Sequence, residues 1–309
     1  MLLRVDHLTV YRYKAPVRSV VQSHRLTPSA CEGQRVLDWE VAVSGGTPGG
    51  RFRDGAGDVV QGWTVAGPVA EVAVTVRGTV ETRDTAGVLR GLRESLPSEV
   101  WLRETPATAL DHGLRALAQE VQARDRLDLC HRLAGAVADA IAYAPGTTHA
   151  HTTAAEALAQ GQGVCQDHAH ALIACARAHD IPARYVSGYL FADAEGAAHE
   201  AAHAWAELHV RGLGWVGFDP TNRCCPDARY IRLGSGFDAK AAAPIRGIAR
   251  GSAGGGGGGG LGAAVAARAK GGGPPRPPLP RRCGAPHRGG WRNRIRRLRR
   301  PARASGGLH

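Results

Sequence analysis

The chain has 309 residues, enough for two domains with at least one substantial core. Its formal net charge of +12 is of the size that nucleic-acid-binding proteins carry. However, residues 254–309 hold 13 of the 39 Lys and Arg residues and no Asp or Glu, so residues 1–253 contain 26 basic and 27 acidic residues. The globular part is therefore nearly neutral, and we expect it to bind no nucleic acid.

The sequence predicts neither a membrane protein nor a disulfide scaffold. No apolar run reaches the ~18 residues of a transmembrane helix. Arg4, Asp6 and His7 occupy the stretch that would be apolar in a signal peptide. The cysteine count is odd, without a CxxC pair, and the cysteines lie at positions 31, 130, 165, 175, 224, 225 and 283. We expect a cytoplasmic protein without a structural metal or a cofactor.

The first part of the chain has the composition of β-strands. Residues 5–13, 36–43, 59–65 and 69–80 are rich in β-branched and aromatic residues or alternate between apolar and polar, and turn residues separate them. We interpret residues 1–95 as a small antiparallel β domain, either a sandwich or a barrel. It contains no recognisable catalytic constellation.

From about residue 97 the apolar spacing changes to that of helices. Leucines recur on one face over residues 110–117, and an apolar stripe over residues 129–141 ends before Pro145-Gly146. A short helix is predicted over residues 154–158. A further helix begins at Cys165 and ends near Asp180, ahead of Pro182.

Three strand-like runs follow, at residues 184–191, 203–210 and 215–219. Helices followed by strands predict an α+β fold for residues 97–251, with helices packed on a short antiparallel sheet. After about residue 251 the composition reduces to Gly, Pro, Arg and Ala, including seven consecutive glycines. We expect residues 252–309 to be a disordered tail. Their amino-acid composition is that of a GC-rich coding sequence translated in the wrong frame, so we interpret the tail as the product of a frameshift.

Three residues in the second half can perform nucleophilic chemistry. Cys165 lies where the glycine-containing loop 161–163 enters a helix, so the helix dipole favours its thiolate. His203 can accept the thiol proton, and Asp219 can orient the imidazole. Taken singly, Cys165 and His203 are more typical of a buried core than of a catalytic site, and the prediction rests on their combination.

The pair His203 and Asp219 imposes a condition on the sheet. If paired residue numbers on the two strands sum to 422, the two residues lie opposite each other, and if the sum is 424 they are diagonal neighbours on one face. An odd sum would place them on opposite faces and exclude the triad.

The motifs GQGVCQDHAH (161–170), IPARYVSGY (181–189), HAWAE (203–207) and GWVGFDPTN (214–222) resemble the bacterial branch of the transglutaminase-like superfamily. The resemblance is strong over 140–250, weaker over 1–80, and ends at about 252. It implies a papain-like α+β core preceded by a β-rich N-terminal region, with Cys165, His203 and Asp219 as catalytic residues. His168 departs from the motif, in which we expect an aromatic residue, and we interpret it as filling space.

The resemblance implies attack of a Cys165 thiolate on an amide carbonyl of a protein or peptide, through a thioester. The backbone N–H of Cys165 is the expected oxyanion donor. We favour hydrolysis by water over cross-linking to an amine. A catalytically inactive binding homologue is the first alternative.

A zinc metalloprotease is the second alternative, because residues 199–203 spell His-Glu-Ala-Ala-His. On a helix His199 and His203 would share a face, with Glu200 as the base. The alternating residues after His203 favour a strand instead, and no third ligand follows clearly. The pairs His149/His151 and His168/His170 are more typical of solvated or packed histidines, and Cys224 and Cys225 of ordinary thiols.

Overall fold

A computed structural model describes residues 1–191 and 202–252, together with the backbone of 264–267 and 295–297. The N-terminal β domain is built from long strands, and strand β1 pairs with β4 along nearly its whole length. Both strands continue through prolines, with register shifts near Val17 that absorb the irregularity. The strands are β1 (Leu2–His24), β2 (Gln34–Val43), β3 (Gly46–Arg53) and β4 (Val59–Thr82).

After two short 3-10 turns, Ser98–Leu102 and Pro106–Thr108, the second domain begins. Its elements are α1 (His112–Glu120), α2 (Arg126–Ala140), β5 (Ala142–Tyr143), α3 (Ala154–Gln160), β6 (Gln162–Gly163), α4 (Cys165–Arg177), β7 (Ala183–Leu190), β8 (Ala202–Val210), β9 (Gly214–Phe218) and β10 (Tyr230–Gly236). The next strand, β11 (Ile245–Ser252), joins the sheet of the N-terminal domain. None of the helices among the described residues is long and apolar enough to cross a membrane.

Helix boundaries follow the local chemistry. Asp111 accepts the Leu114 N–H at 2.8 Å, so α1 begins at His112 and not at Leu110, where the apolar pattern starts. Thr153 and Glu156 form a capping box at the start of α3. The helix ends at Gly161, whose positive φ of 64° is the left-handed conformation that glycine adopts without strain.

The central sheet of the second domain is antiparallel, in the order β10-β7-β8-β9. Helix α4 lies against it and is buried along most of its length. The core between helices and sheet contains Leu133, Leu172, Ile173, Leu208 and Phe218. The α+β architecture and the β-rich N-terminal region are as predicted.

The strands of the N-terminal domain form one hydrogen-bonded sheet, in the order β11-β1-β4-β2 with β3 also paired to β4. Strand β11 lies almost entirely within residues 97–251, which the sequence assigns to the second domain, but it pairs in this sheet with Val17–His24 of β1. The two domains also share a core, in which Tyr189 and Ile231 pack with the valines of β4.

The predicted tail 252–309 falls mostly outside the described residues. Two of its segments are described as strands that pair with β1: β12 (Ala264–Ala267) and β13 (Ile295–Arg297).

Candidate active site

Cys165 is the first residue of α4, and the chain holds it there by several polar contacts. The parallel pair β5–β6 fixes the loop before it. Asp167, which is fully buried, accepts the Val164 N–H at 2.8 Å and the Thr148 hydroxyl at 2.6 Å. The first-turn N–H groups of a helix have no intrahelical partner and carry its positive dipole. Cys165 is thereby placed at the positive end of the α4 dipole.

The other described cysteines have different surroundings. Burial raises the pKa of the Cys130 and Cys175 thiols to about 12 and that of Cys225 to about 11. The pKa values of Cys31 and Cys224 are also raised, mainly by burial. Cys165 is half-buried, and it lies near enough to His203 to contribute to the raised pKa of that imidazole.

His203 and Asp219 lie together as the register condition requires. Strands β8 and β9 pair Ala206 with Phe218 and Leu208 with Val216, so paired numbers sum to 424. His203 and Asp219 are therefore diagonal neighbours on one face, and His203 Nε2 lies 2.6 Å from Asp219 Oδ2. Because Nε2 is held by the carboxylate, Nδ1 is the ring nitrogen left for Cys165.

Asp219 is almost completely buried and is surrounded by donors. Besides the imidazole, its Oδ2 accepts the Asn222 amide at 2.6 Å and the Tyr230 hydroxyl at 2.8 Å. The backbone N–H of Asn222 lies 3.3 Å from Oδ1. A buried carboxylate with this many donors remains ionised without a permanent cation beside it.

The protonation states of the pair follow from burial and charge. Burial alone would raise the pKa of Asp219, but the His203 charge and the three side-chain donors lower it. Burial alone would lower the pKa of His203, but the charge and hydrogen bond of Asp219, with a contribution from Cys165, raise it to about 10. At neutral pH the imidazole is therefore protonated and can pair with a thiolate.

Comparisons with known proteins identify the family of this chain. The family model described as the transglutaminase-like superfamily matches residues 115–220, which include Cys165, His203 and Asp219. The model described as the bacterial transglutaminase-like N-terminal region matches residues 3–81. The chain belongs to the transglutaminase-like superfamily.

Two relatives and one solved structure extend this result. The uncharacterized protein ML0607 of Mycobacterium leprae is 31% identical over 265 residues, covering 81% of this chain and 93% of the relative. The uncharacterized protein Rv2569c of Mycobacterium tuberculosis is 31% identical over 272 residues, covering 79% and 86%. A crystal structure of a candidate cysteine protease from Cytophaga hutchinsonii matches with a TM-score of 0.64 and 20% identity, over 81% of this chain and 87% of that one. The last likeness shows the shared fold alone.

Two neighbours of Asp219 were missed from the sequence. Asn222 is the last residue of the motif GWVGFDPTN (214–222), and its position three residues after Asp219 could have indicated that it contacts the carboxylate. Tyr230 lies on β10, which we did not predict. Its ring packs at 6.0 Å from the His203 imidazole and at 5.5 Å, edge-on, from Trp205.

The rival zinc motif is only partly within the described residues, because His199 and Glu200 lie outside them. Its last residue, His203, lies in strand β8, whereas the zinc interpretation needs both histidines on one helix. The Nε2 of His203 is also bonded to Asp219. Among the described residues, no group of three or more His, Cys, Asp or Glu side chains is arranged to hold a metal ion.

The remaining histidine and cysteine pairs have structural partners or are exposed. His168 bonds Thr221 and the Ile141 carbonyl, and His170 accepts the Ala239 N–H at 2.9 Å. His149 and His151 are exposed. Cys224 and Cys225 are both free thiols, and the Cys224 sulfur lies 3.3 Å from the Tyr230 hydroxyl.

Proposed function

We propose that the protein is a thiol enzyme of the transglutaminase-like superfamily that cleaves an amide or peptide bond through a thioester on Cys165. The observation that carries this proposal is the buried Asp219–His203 pair, 2.6 Å apart, beside Cys165, which contributes to the raised pKa of the imidazole. The protonated His203 and the N-terminus of α4 both favour the thiolate. His203, Asp219 and Cys165 are assigned as acid–base, orienting residue and nucleophile.

The proposed acylation step begins with attack of the Cys165 sulfur on the carbonyl carbon. The carbonyl π electrons move to oxygen, and backbone N–H groups at the start of α4, including that of Cys165, stabilise the oxyanion. The carbon–nitrogen bond then breaks. The leaving nitrogen takes the proton that His203 holds, and the products are an amine and a Cys165 thioester.

In the second step His203, now neutral, accepts a proton from a water molecule that attacks the thioester. The carbon–sulfur bond breaks, a carboxylic acid leaves, and the thiolate–imidazolium pair is restored. We propose water and not a lysine amine as the acceptor. The half-buried Cys165 leaves solvent access to the thioester, and a cross-linking enzyme must exclude water.

The substrate that we propose is a protein or peptide, and the compartment is the reducing cytoplasm. Six described cysteines are free, including the adjacent Cys224 and Cys225. A reducing compartment is consistent with these free thiols.

The first test measures thiol reactivity without a known substrate. Iodoacetamide is added at about pH 6.5, where an ordinary thiol is mostly protonated, and peptide mass spectrometry locates the label. We expect fast labelling at Cys165 and slow labelling of the five other described cysteines, whose pKa values are raised. The Cys165→Ala variant should lose the fast phase. A Cys165 that reacts like an ordinary thiol would support the inactive binding homologue.

The second test separates the reactions. Casein serves as a general polypeptide substrate, with and without a fluorescent primary amine, and new carboxyl termini, released ammonia and incorporated amine are measured. Hydrolysis without amine incorporation is the expected result, and predominant incorporation would make the protein a cross-linking enzyme. Activity that is chelator-sensitive, lost in Glu200→Ala and retained in Cys165→Ala would instead support the zinc protease.

A further inference from the structure

The imidazole of His168 makes two hydrogen bonds inside the protein. Its Nε2 lies 2.8 Å from the Ile141 carbonyl oxygen, and its Nδ1 lies 2.8 Å from the Thr221 hydroxyl. A carbonyl oxygen can only accept, so Nε2 carries the proton, and in the neutral ring Nδ1 accepts from Thr221. Burial lowers the pKa of His168, which favours this neutral form. The ring is thus fixed at both nitrogens.

These two bonds connect the parts of the chain that carry the proposed catalytic residues. His168 follows Cys165 by one helical turn on α4. Ile141 directly precedes β5, whose partner β6 leads into Cys165. Thr221 lies between Asp219 and Asn222, in the loop after β9, which we call the acid loop (residues 219–224). One side chain therefore links the nucleophile's helix to the acid loop.

A second side chain attaches the acid loop to the protein, at helix α2, and this attachment is weaker because it is exposed to solvent. Arg223 bonds the Ala138 carbonyl at 2.9 Å and pairs with Asp139 at 2.6 Å. Both side chains of that ion pair are more than half exposed, so solvent screens the attraction. The His168–Thr221 bond joins a buried imidazole to a half-buried hydroxyl, and loss of that hydroxyl leaves the buried Nδ1 of His168 without this partner.

We propose that His168 is a positioning residue for the thiol chemistry, holding the acid loop against α4 so that the Asp219–His203 pair faces Cys165. A phenylalanine at this position would fill similar space but could neither donate to the Ile141 carbonyl nor accept from the Thr221 hydroxyl. The inference rests on the proposed function, because the geometry that His168 sets matters only if Cys165 reacts through His203.

The test measures the iodoacetamide labelling rate of Cys165 in the full chain, as a function of pH, for four variants. His168→Phe removes both bonds and Thr221→Val removes one. His168→Asn places an acceptor near the position of Nδ1 and can restore the Thr221 bond. The matched control is His170→Phe, the same substitution at a buried histidine of α4 that bonds Ala239 and not the acid loop.

We expect His168→Phe and Thr221→Val each to slow labelling near neutral pH roughly tenfold, since a small misplacement of reacting groups has large effects. The rate in these variants should rise with pH like that of an ordinary thiol. His168→Asn should recover most of the rate. His170→Phe should lower thermal stability and leave the labelling rate and its pH profile near those of the wild type.

Thr221→Val with a wild-type rate and pH profile overturns the inference, even if His168→Phe fails to fold. Equal slowing by His168→Phe and His170→Phe also overturns it, because the effect is then general core damage. A wild-type Cys165 that itself labels slowly would refute the proposed function and this inference with it. Fast wild-type labelling with unaffected Thr221→Val refutes the positioning role alone.

Discussion

Two buried carboxylates, one on strand β8 and one directly after strand β9, have chemically different hydrogen-bond partners. Asp219 is bonded to an imidazole, an amide and a phenol. Glu207, on the same face of β8 as His203, is bonded to the guanidinium groups of Arg184 at 2.7 Å and Arg232 at 2.8 Å. Burial would raise the pKa of each carboxyl, but its partners lower it in both cases. One carboxylate has a partner that can release a proton, and the other has partners that cannot.

The arginine-bonded carboxylate belongs to a network that connects the two domains. Arg232 also pairs with Asp58 at 2.6 Å, and Asp58 accepts the Ser235 N–H and hydroxyl. Guanidinium groups remain charged at any pH a protein encounters. A cluster of permanently charged groups stabilises the fold. The Asp219 cluster (Asp219, His203, Asn222 and Tyr230) instead contains a titratable imidazole next to a thiol. The comparison predicts that substitutions will affect chemistry at one carboxylate and stability at the other.

The largest expected effect is that of Asp219→Asn on turnover. The amide cannot stabilise the imidazolium and favours the wrong tautomer of His203, so casein hydrolysis should fall by roughly 10⁴-fold. Thermal stability should change far less than activity. Asp238→Asn is the matched control, a buried carboxylate that caps the Ala241 N–H and does not contact His203. Retention of a tenth of the wild-type rate by Asp219→Asn would contradict the assigned role.

For Arg232→Met we expect a large loss of stability and little change in activity. The substitution leaves Asp58 and Glu207 as buried carboxylates without that cation, and breaking such a pair costs about 3–5 kcal/mol of unfolding free energy. Urea unfolding measures the loss, and activity per folded molecule should be retained. Arg12→Met, which removes an exposed ion pair with Glu71, should cost less than about 1 kcal/mol. Comparable losses in the two variants would mean that the network does not stabilise the domain contact.

The Asp219 cluster should also make stability depend on pH. The folded pKa of His203 is about 10 against an ordinary 6.5, so the folded protein binds more protons than the unfolded chain between these values. The stabilisation is fully present below pH 6.5 and is lost as the pH rises through 10. Urea unfolding across that range should give a decreasing free energy for the wild type and a flatter dependence for His203→Gln. Parallel curves would show that His203 does not titrate with a raised pKa.

Much of the second domain could be predicted because its signals are local. The start of α4 at Cys165 and the three strands after it follow from glycines, prolines and alternation in adjacent residues. The pairing of His203 with Asp219 was reduced to a register condition, and the observed sum of 424 meets it.

Strand β10 was missed for a physical reason. Its inward-facing residues include Arg232, whose partner Asp58 is 174 residues away, so a buried charge had no visible justification in its own segment. His168 was interpreted as space-filling because its partners, Ile141 and Thr221, are 27 and 53 residues away. A buried polar side chain needs a hydrogen-bond partner, and when that partner is distant in the sequence, the pattern of neighbouring residues cannot predict it.

The smallest effect that we predict for the Asp219 cluster is that of Tyr230→Phe. The variant removes one of three donors to Asp219 Oδ2, a bond worth about 1 kcal/mol or slightly more, so hydrolysis should slow about tenfold. The KM for casein should stay near the wild-type value, because Tyr230 acts on the carboxylate and not on the substrate. The matched control is Tyr189→Phe, which removes a phenol bonded to His7 at 3.0 Å, in the core shared with the N-terminal sheet. If both variants lost activity equally, Tyr230 would belong with Glu207 and Arg232 as a stabilising residue, and the Asp219 cluster would be smaller than its hydrogen bonds indicate.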